Sequence, residues 1–133
     1  MCKGILLETQ YFPPIQYFSK LLAYPTIFLE QHENYLKGSY RNRCHIVGAN
    51  GMQRLSIPLQ RGKNEQLPIR EVRISYSENW QNQHWTSIRS AYGRAPFFEY
   101  FADDVERFFK KKYHFLFDLN EALLAFMLTT LQI

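Results

Sequence analysis

The chain has 133 residues, 46% of them hydrophobic and 21% charged, a length and balance that suit one globular domain and exclude a disordered chain. Its net charge of +4 arises from 16 Lys and Arg against 12 Asp and Glu with no long basic run, which favours anionic ligands but argues against a nucleic-acid surface. Cys2 and Cys44 stand at no metal-ligand spacing, the N-terminus lacks a leader's apolar core, and no apolar run approaches the roughly 20 residues that span a bilayer. A cytoplasmic protein with no membrane span is expected.

"GILL" at 4–7 reads as a strand that ends before Pro13 and Pro14, which cannot donate to a ladder. Ile15, Phe18, Leu21 and Leu22 then recur at helical spacing, predicting a helix over 14–23 with Pro14 as its first residue. After Pro25, "TIFLE" suits a second strand. Strand, helix and strand within thirty residues is the pattern of a βαβ unit with parallel strands. In such a unit the residues just beyond the strand ends, here "ETQYFPP" and "EQHENY", face a common crevice.

From Ser39 to Leu59 the chain reads as a hairpin around Asn50 and Gly51, a pair that supplies the positive φ angles of a tight turn. "IREVRIS" at 69–75 alternates imperfectly and predicts a further strand. A helix follows, capped by Ser75 or Ser77 and stopped at Gly93, with Trp80, His84, Trp85, Ile88, Ala91 and Tyr92 on one face. "APFFEYF" is an aromatic connector. "DDVERFFKKKY" has acidic residues in front and lysines behind, the order a helix dipole favours. The last helix opens at Asp118 and Glu121, in capping-box spacing, and is then apolar nearly all round. Leu123, Phe126 and Met127 can cover one side of a core, whereas Leu124, Leu128 and Leu131 point elsewhere. The 118–133 helix therefore calls for a second copy, a partner, or further chain to cover it. The expected class is α/β: one domain over 1–133 with an N-terminal βαβ unit, a hairpin extension and a C-terminal helical cluster, a Rossmann-like three-layer piece.

The densest chemistry lies in "EQHENYLKGSYRNRC", residues 30–44. If Glu33 orients His32, the imidazole can act as a general base near neutral pH, and Arg41 and Arg43 can clamp a phosphate or carboxylate through paired donors. Tyr11, Tyr17, Glu30 and Tyr40 would frame the same hollow. The competing reading is a polar strand edge, with the arginines alternating into water. "EQHE" lacks the H-E-x-x-H spacing that sets two histidines on one helical face, so no metal is expected, and the residues name no cofactor. His84, central on an apolar face, suits either a core histidine tied to a carbonyl or a ligand. Trp80 and Trp85 suit packing or stacking on a flat ligand, and Cys44 suits a buried small hydrophobe.

The order of segments, "QYFPPIQYF", "FLEQHENYLKGSYRNRC", "NGMQRLSIPL", "IREVRIS", "NWQNQHWTSIRSAYGRAPFFEYF" and "FLFDLNEALL", resembles the WbqC-like protein family over about Leu6 to Leu124. The resemblance implies bacterial proteins of cell-surface polysaccharide (O-antigen) biosynthesis that modify an activated sugar, with acyl or aminoacyl transfer as the implied chemistry. A transferase on a nucleotide-linked sugar is the implied enzyme, its partner an anionic nucleotide-sugar or acyl donor. The family's motifs fall on Tyr11, Pro13, Tyr17, Gln31, His32, Tyr40, Arg41, Asn42, Arg43, His84, Trp85, Tyr92, Gly93 and Tyr100. His84 and Trp85 would thereby move from core to site. Two departures stand out: Glu8 and Thr9 replace a Gln-Pro pair, and the resemblance implies further strands and helices after the last helix. A non-catalytic subunit of a polysaccharide-biosynthesis assembly is the alternative.

Overall fold

The computed structural model describes residues 4–24, 26–31, 33, 35, 39–48, 51–60, 67–93 and 98–131, apart from the side chains at positions 15 and 131. β1 (Gly4–Leu7) and β2 (Thr26–Leu29) pair in parallel, with Leu7 opposite Leu29 and α1 (Ile15–Ala23) as the crossover that parallel strands require. Pro14 lies just before α1 in an extended conformation, and its carbonyl accepts the Tyr17 amide. Phe12, at φ 44°, takes a left-handed turn that few non-glycine residues adopt, and the chain reverses there between Tyr11 and α1.

The hairpin forms as expected. β3 (Arg43–Gly48) and β4 (Gly51–Ser56) are antiparallel, closed by the Gly48–Gly51 pair, and Gly51 carries the positive φ of 108°. Cys44, Ile46 and Leu55 turn inward while His45 and Val47 turn outward, the period-2 alternation of a half-buried sheet.

The strand expected over 69–75 does not form. Ile69–Glu71 is one turn of 3-10 helix, followed by single bridges from Ile74 to Leu59 and from Arg73 to Phe115. Three residues per turn put Ile69 and Val72 on the same inward side, where both are fully buried, an outcome that strict alternation would have forbidden.

Three helices complete the chain: α2 (Trp80–Tyr92), α3 (Phe98–Lys110) and α4 (Leu116–Leu131). On α2, Trp80, His84, Trp85 and Ile88 are buried as their spacing predicted, but Asn79 is the capping residue and makes no side-chain cap bond. The hydroxyls of Ser75 and Ser77 bond each other instead. α3 absorbs most of the aromatic connector. α4 begins two residues before Asp118, so the expected capping box is not its start.

Two apolar clusters result. The larger gathers the hairpin, the 69–74 segment and α2 to α4 around Trp80, Ile69, Leu116 and Leu123. The smaller lies between the βαβ unit and α4, where Leu7, Tyr17, Phe18 and Leu21 enclose Leu124, with Met127 and Leu128 packed against them. Leu124 and, in part, Leu128 on the face of α4 that called for an outside cover are thus packed against the N-terminal unit of the same chain. The architecture is mixed α/β: a parallel strand pair, an antiparallel hairpin and, among the described residues, four α-helices.

Candidate functional site

Beyond its last residue β1 hands the chain to Glu8, and beyond β2 the chain runs through Gln31 to Glu33. The Glu30 amide donates to the Leu7 carbonyl at 2.9 Å, so the two strands separate together and open a crevice at their C-terminal ends. The Ile69 amide holds the carbonyl of Glu33 and the Tyr35 amide donates to the Leu67 carbonyl, which fixes Glu33 at the rim.

Arg41 closes the floor. It is 8% exposed; Nε donates to Glu33 Oε1 at 2.8 Å and Nη1 to Glu8 Oε2 at 2.9 Å. Burial opposes the guanidinium's charge, but the Glu33 hydrogen bond and the charges of Glu8 and Glu33 outweigh it and raise its pKa above the ordinary value. Its carbonyl accepts from Asn120 Nδ2 of α4 at 2.7 Å. Tyr17, from α1, donates its hydroxyl to the Glu8 carbonyl at 2.8 Å. Burial, then the Glu8 and Glu33 carboxylates, push that phenol up to about 12, so it stays protonated and serves as a fixed hydrogen-bonding group, not a base. Leu6, Leu7, Gln10, Pro14, Gln16 and Lys20 complete a crevice of about 380 Å³.

Among the residues singled out in the sequence, Tyr17, Glu33 and Arg41 converge here. His32 lies outside the described residues. Tyr11 is elsewhere: it is buried in the larger cluster, where its hydroxyl meets His84 Nδ1 at 2.9 Å. His84 Nε2 lies 3.0 Å from the Ser56 carbonyl, which can only accept, so the proton sits on Nε2 and Nδ1 accepts from Tyr11. Burial lowers the His84 pKa to about 4. Trp85 stacks between Phe98 and Phe109 in the same cluster, and Asn42 is a buried clip that accepts from the Tyr35 hydroxyl and donates to the Ile57 carbonyl. Tyr40 is exposed, edge-on to His45. Arg43 opens β3 half-buried, and its Nε has no partner among the described residues. Gln31 accepts from Arg70 Nη1 at 3.1 Å in a separate hollow beside Phe115 and Asp118. Burial pushes the Cys44 thiol up to about 12, which leaves it a packing residue. Among the described residues no three His, Cys, Asp or Glu side chains converge on a metal site.

Glu8, Gln10, Gln16 and Lys20 were not singled out from the sequence. Glu8 and Gln10 nonetheless belong to "ETQYFPP", the stretch after β1 that the sequence predicts at the crevice, without a role of their own there.

A parallel strand pair with a crossover helix, beside an antiparallel hairpin and further helices, makes this a mixed α/β domain with a polar hollow beyond its paired strands. More particularly, the model of the WbqC-like protein family matches residues 9–133, and the chain belongs to that family. It is similar to the Mycobacterium tuberculosis protein described as "Uncharacterized protein Rv1507c", at 28% identity over 114 residues that cover 86% of this chain and 49% of that one. The chain therefore spans about half the length of the curated relative it matches. No solved structure matches it. Among the described residues no helix is long and apolar enough to cross a membrane.

Proposed function

We propose that the chain is an enzyme of bacterial cell-surface polysaccharide (O-antigen) biosynthesis, acting in the cytoplasm on an activated sugar by acyl or aminoacyl transfer. The observation that carries this reading is the crevice at the strand ends, where Glu8, Tyr17, Glu33 and Arg41 are held in fixed positions by the fold. Family membership supports a shared biochemical role, and His32 directly precedes Glu33 in the sequence. In this reading His32 takes a proton from the acceptor, Glu33 orients it, and the guanidinium of Arg43 meets the anionic part of the donor.

The test is a thermal-shift screen of nucleotide-sugars and aminoacyl donors, followed by turnover measurements with the ligand class that responds. One class should raise Tm by several degrees at saturating concentration, and His32→Ala should keep that shift while losing turnover. A flat response to every donor would remove the enzymatic reading.

One observation favours a second reading, a non-catalytic subunit of a polysaccharide-biosynthesis assembly. Leu6 and Phe28 are 61% and 54% exposed on the outer face of the β1–β2 pair, and parallel strands are ordinarily covered on both faces. A ligand-blind chain that associates with a partner subunit, and loses the association in Phe28→Ser, would support it.

A further inference from the structure

The crevice has one strong cation at its floor, and that cation is already taken. Glu8 and Glu33 both hold Arg41, at 2.9 and 2.8 Å, so a phosphate approaching the guanidinium would also meet two carboxylates that repel it. Lys20 on the rim brings the four charged groups to a formal sum of zero, two positive and two negative. Hydrogen-bonding capacity is less balanced. Each carboxylate offers about four acceptor positions, of which the bonds from Arg41 and Gln10 occupy only some. The Gln10 side-chain oxygen Oε1 is buried and has no partner among the described residues. Pro14 is exposed at the same crevice and adds apolar lining beside these acceptors. At about 380 Å³ the space falls near the lower end of the roughly 300–1,000 Å³ range of ligand pockets. It has room for one monosaccharide ring.

We infer that this crevice is a saccharide-ring subsite: it takes the hydroxyl-bearing ring of the ligand, hydroxyls donating to Glu8 and Glu33 and the C–H face lying on Pro14, while any phosphate stays outside. The inference rests on the activated-sugar reading above and assigns which part of that ligand enters. Arg41 is then a positioning residue that holds two acceptors in place, and the anion is met elsewhere.

The experiment uses the whole chain labelled with ¹⁵N. Free hexoses and N-acetylhexosamines form one arm, inorganic pyrophosphate the second, and an intact nucleotide-sugar the third. At least one free sugar should shift the amide signals of Glu8, Gln10, Gln16 and Lys20, and pyrophosphate should not. Glu8→Gln should weaken sugar binding about tenfold, the effect of losing a charge-assisted hydrogen bond. Gln16→Ala, at an exposed helical position clear of the Arg41 contacts, should weaken it by a smaller factor in a chain whose fold is undisturbed. Pyrophosphate or the nucleotide-sugar shifting the Arg41 side-chain signal, with free sugars silent, would overturn the subsite assignment and leave the activated-sugar reading standing. Silence in all three arms would overturn both.

Discussion

His84 couples the stability of the molecule to pH. Its folded pKa of about 4 lies below the ordinary value of 6.5, because burial disfavours the imidazolium and the hydrogen bond to Ser56 offsets this only in part. The neutral ring's contribution is therefore complete above about pH 6.5 and is lost progressively as pH falls toward 4, in total about 3 kcal/mol. Urea denaturation at pH 7.5 and at pH 4.5 should show that loss, and His84→Gln should flatten the slope. Arg41 supports a second prediction. Arg41→Met leaves Glu8 and Glu33 facing each other without their cation and should cost about 2–4 kcal/mol at neutral pH; adding Glu33→Gln should recover part of it. A double variant no more stable than the single one would show that the carboxylates do not repel. At this scale the sequence was legible where side-chain chemistry has one outcome. The Cys44 thiol packs, and His84 is tied to a carbonyl on an apolar face, one of its two readings. It was less legible for Tyr11 and Asn42, because a polar tip buried against protein partners looks the same in sequence as one aimed at a ligand.

Elements were read best where two signals agreed. Alternation and a turn pair together located β3 and β4, and the paired prolines and apolar spacing located β1, α1 and β2. The 69–74 segment had one ambiguous signal, and a 3-10 turn with period three satisfied the same apolar residues as well as a strand would have. α4 reads as apolar nearly all round; Leu123 and Leu124 are buried in the two clusters while Glu121, Ala125 and Thr129 face solvent, and nothing local announces that a helix near one end of the chain packs on strands near the other. Two substitutions test its double role. Leu123→Ala empties space in the larger cluster and Leu124→Ala in the smaller, each at about 2–4 kcal/mol by thermal or urea unfolding. Were α4 open on the side of Leu124, Leu124→Ala would be nearly silent. In the hairpin, Gly51→Ala should cost about 1–2 kcal/mol because the left-handed φ of 108° is strained for any residue with a Cβ. Gly48→Ala should cost less, since its new methyl would meet nothing nearer than 3.8 Å.

For the molecule as a whole, the uneven division of apolar residues between the clusters sets the order of local opening. The βαβ unit rests on the smaller cluster and on a sheet of two strands, an arrangement marginal by itself. Its amides in β1 and β2 should exchange with solvent faster than those of Cys44 and Ile46, and Leu124→Ala should widen the gap; equal rates throughout would mean one cooperative unit. The family resemblance was legible across nearly the whole chain, yet the crevice took its members from distant segments, and only coordinates could show Glu8, Glu33 and Arg41 meeting. Arg41 also has a second attachment. Its carbonyl is gripped by Asn120, whose side chain is almost wholly enclosed, at the same residue whose guanidinium spans the two carboxylates. The mouth of the hollow and the longest helix are thereby mounted on a common pivot. A fluorophore at Ala125, on the solvent side of that helix, would register occupancy from a distance, and the molecule could serve as its own optical gauge.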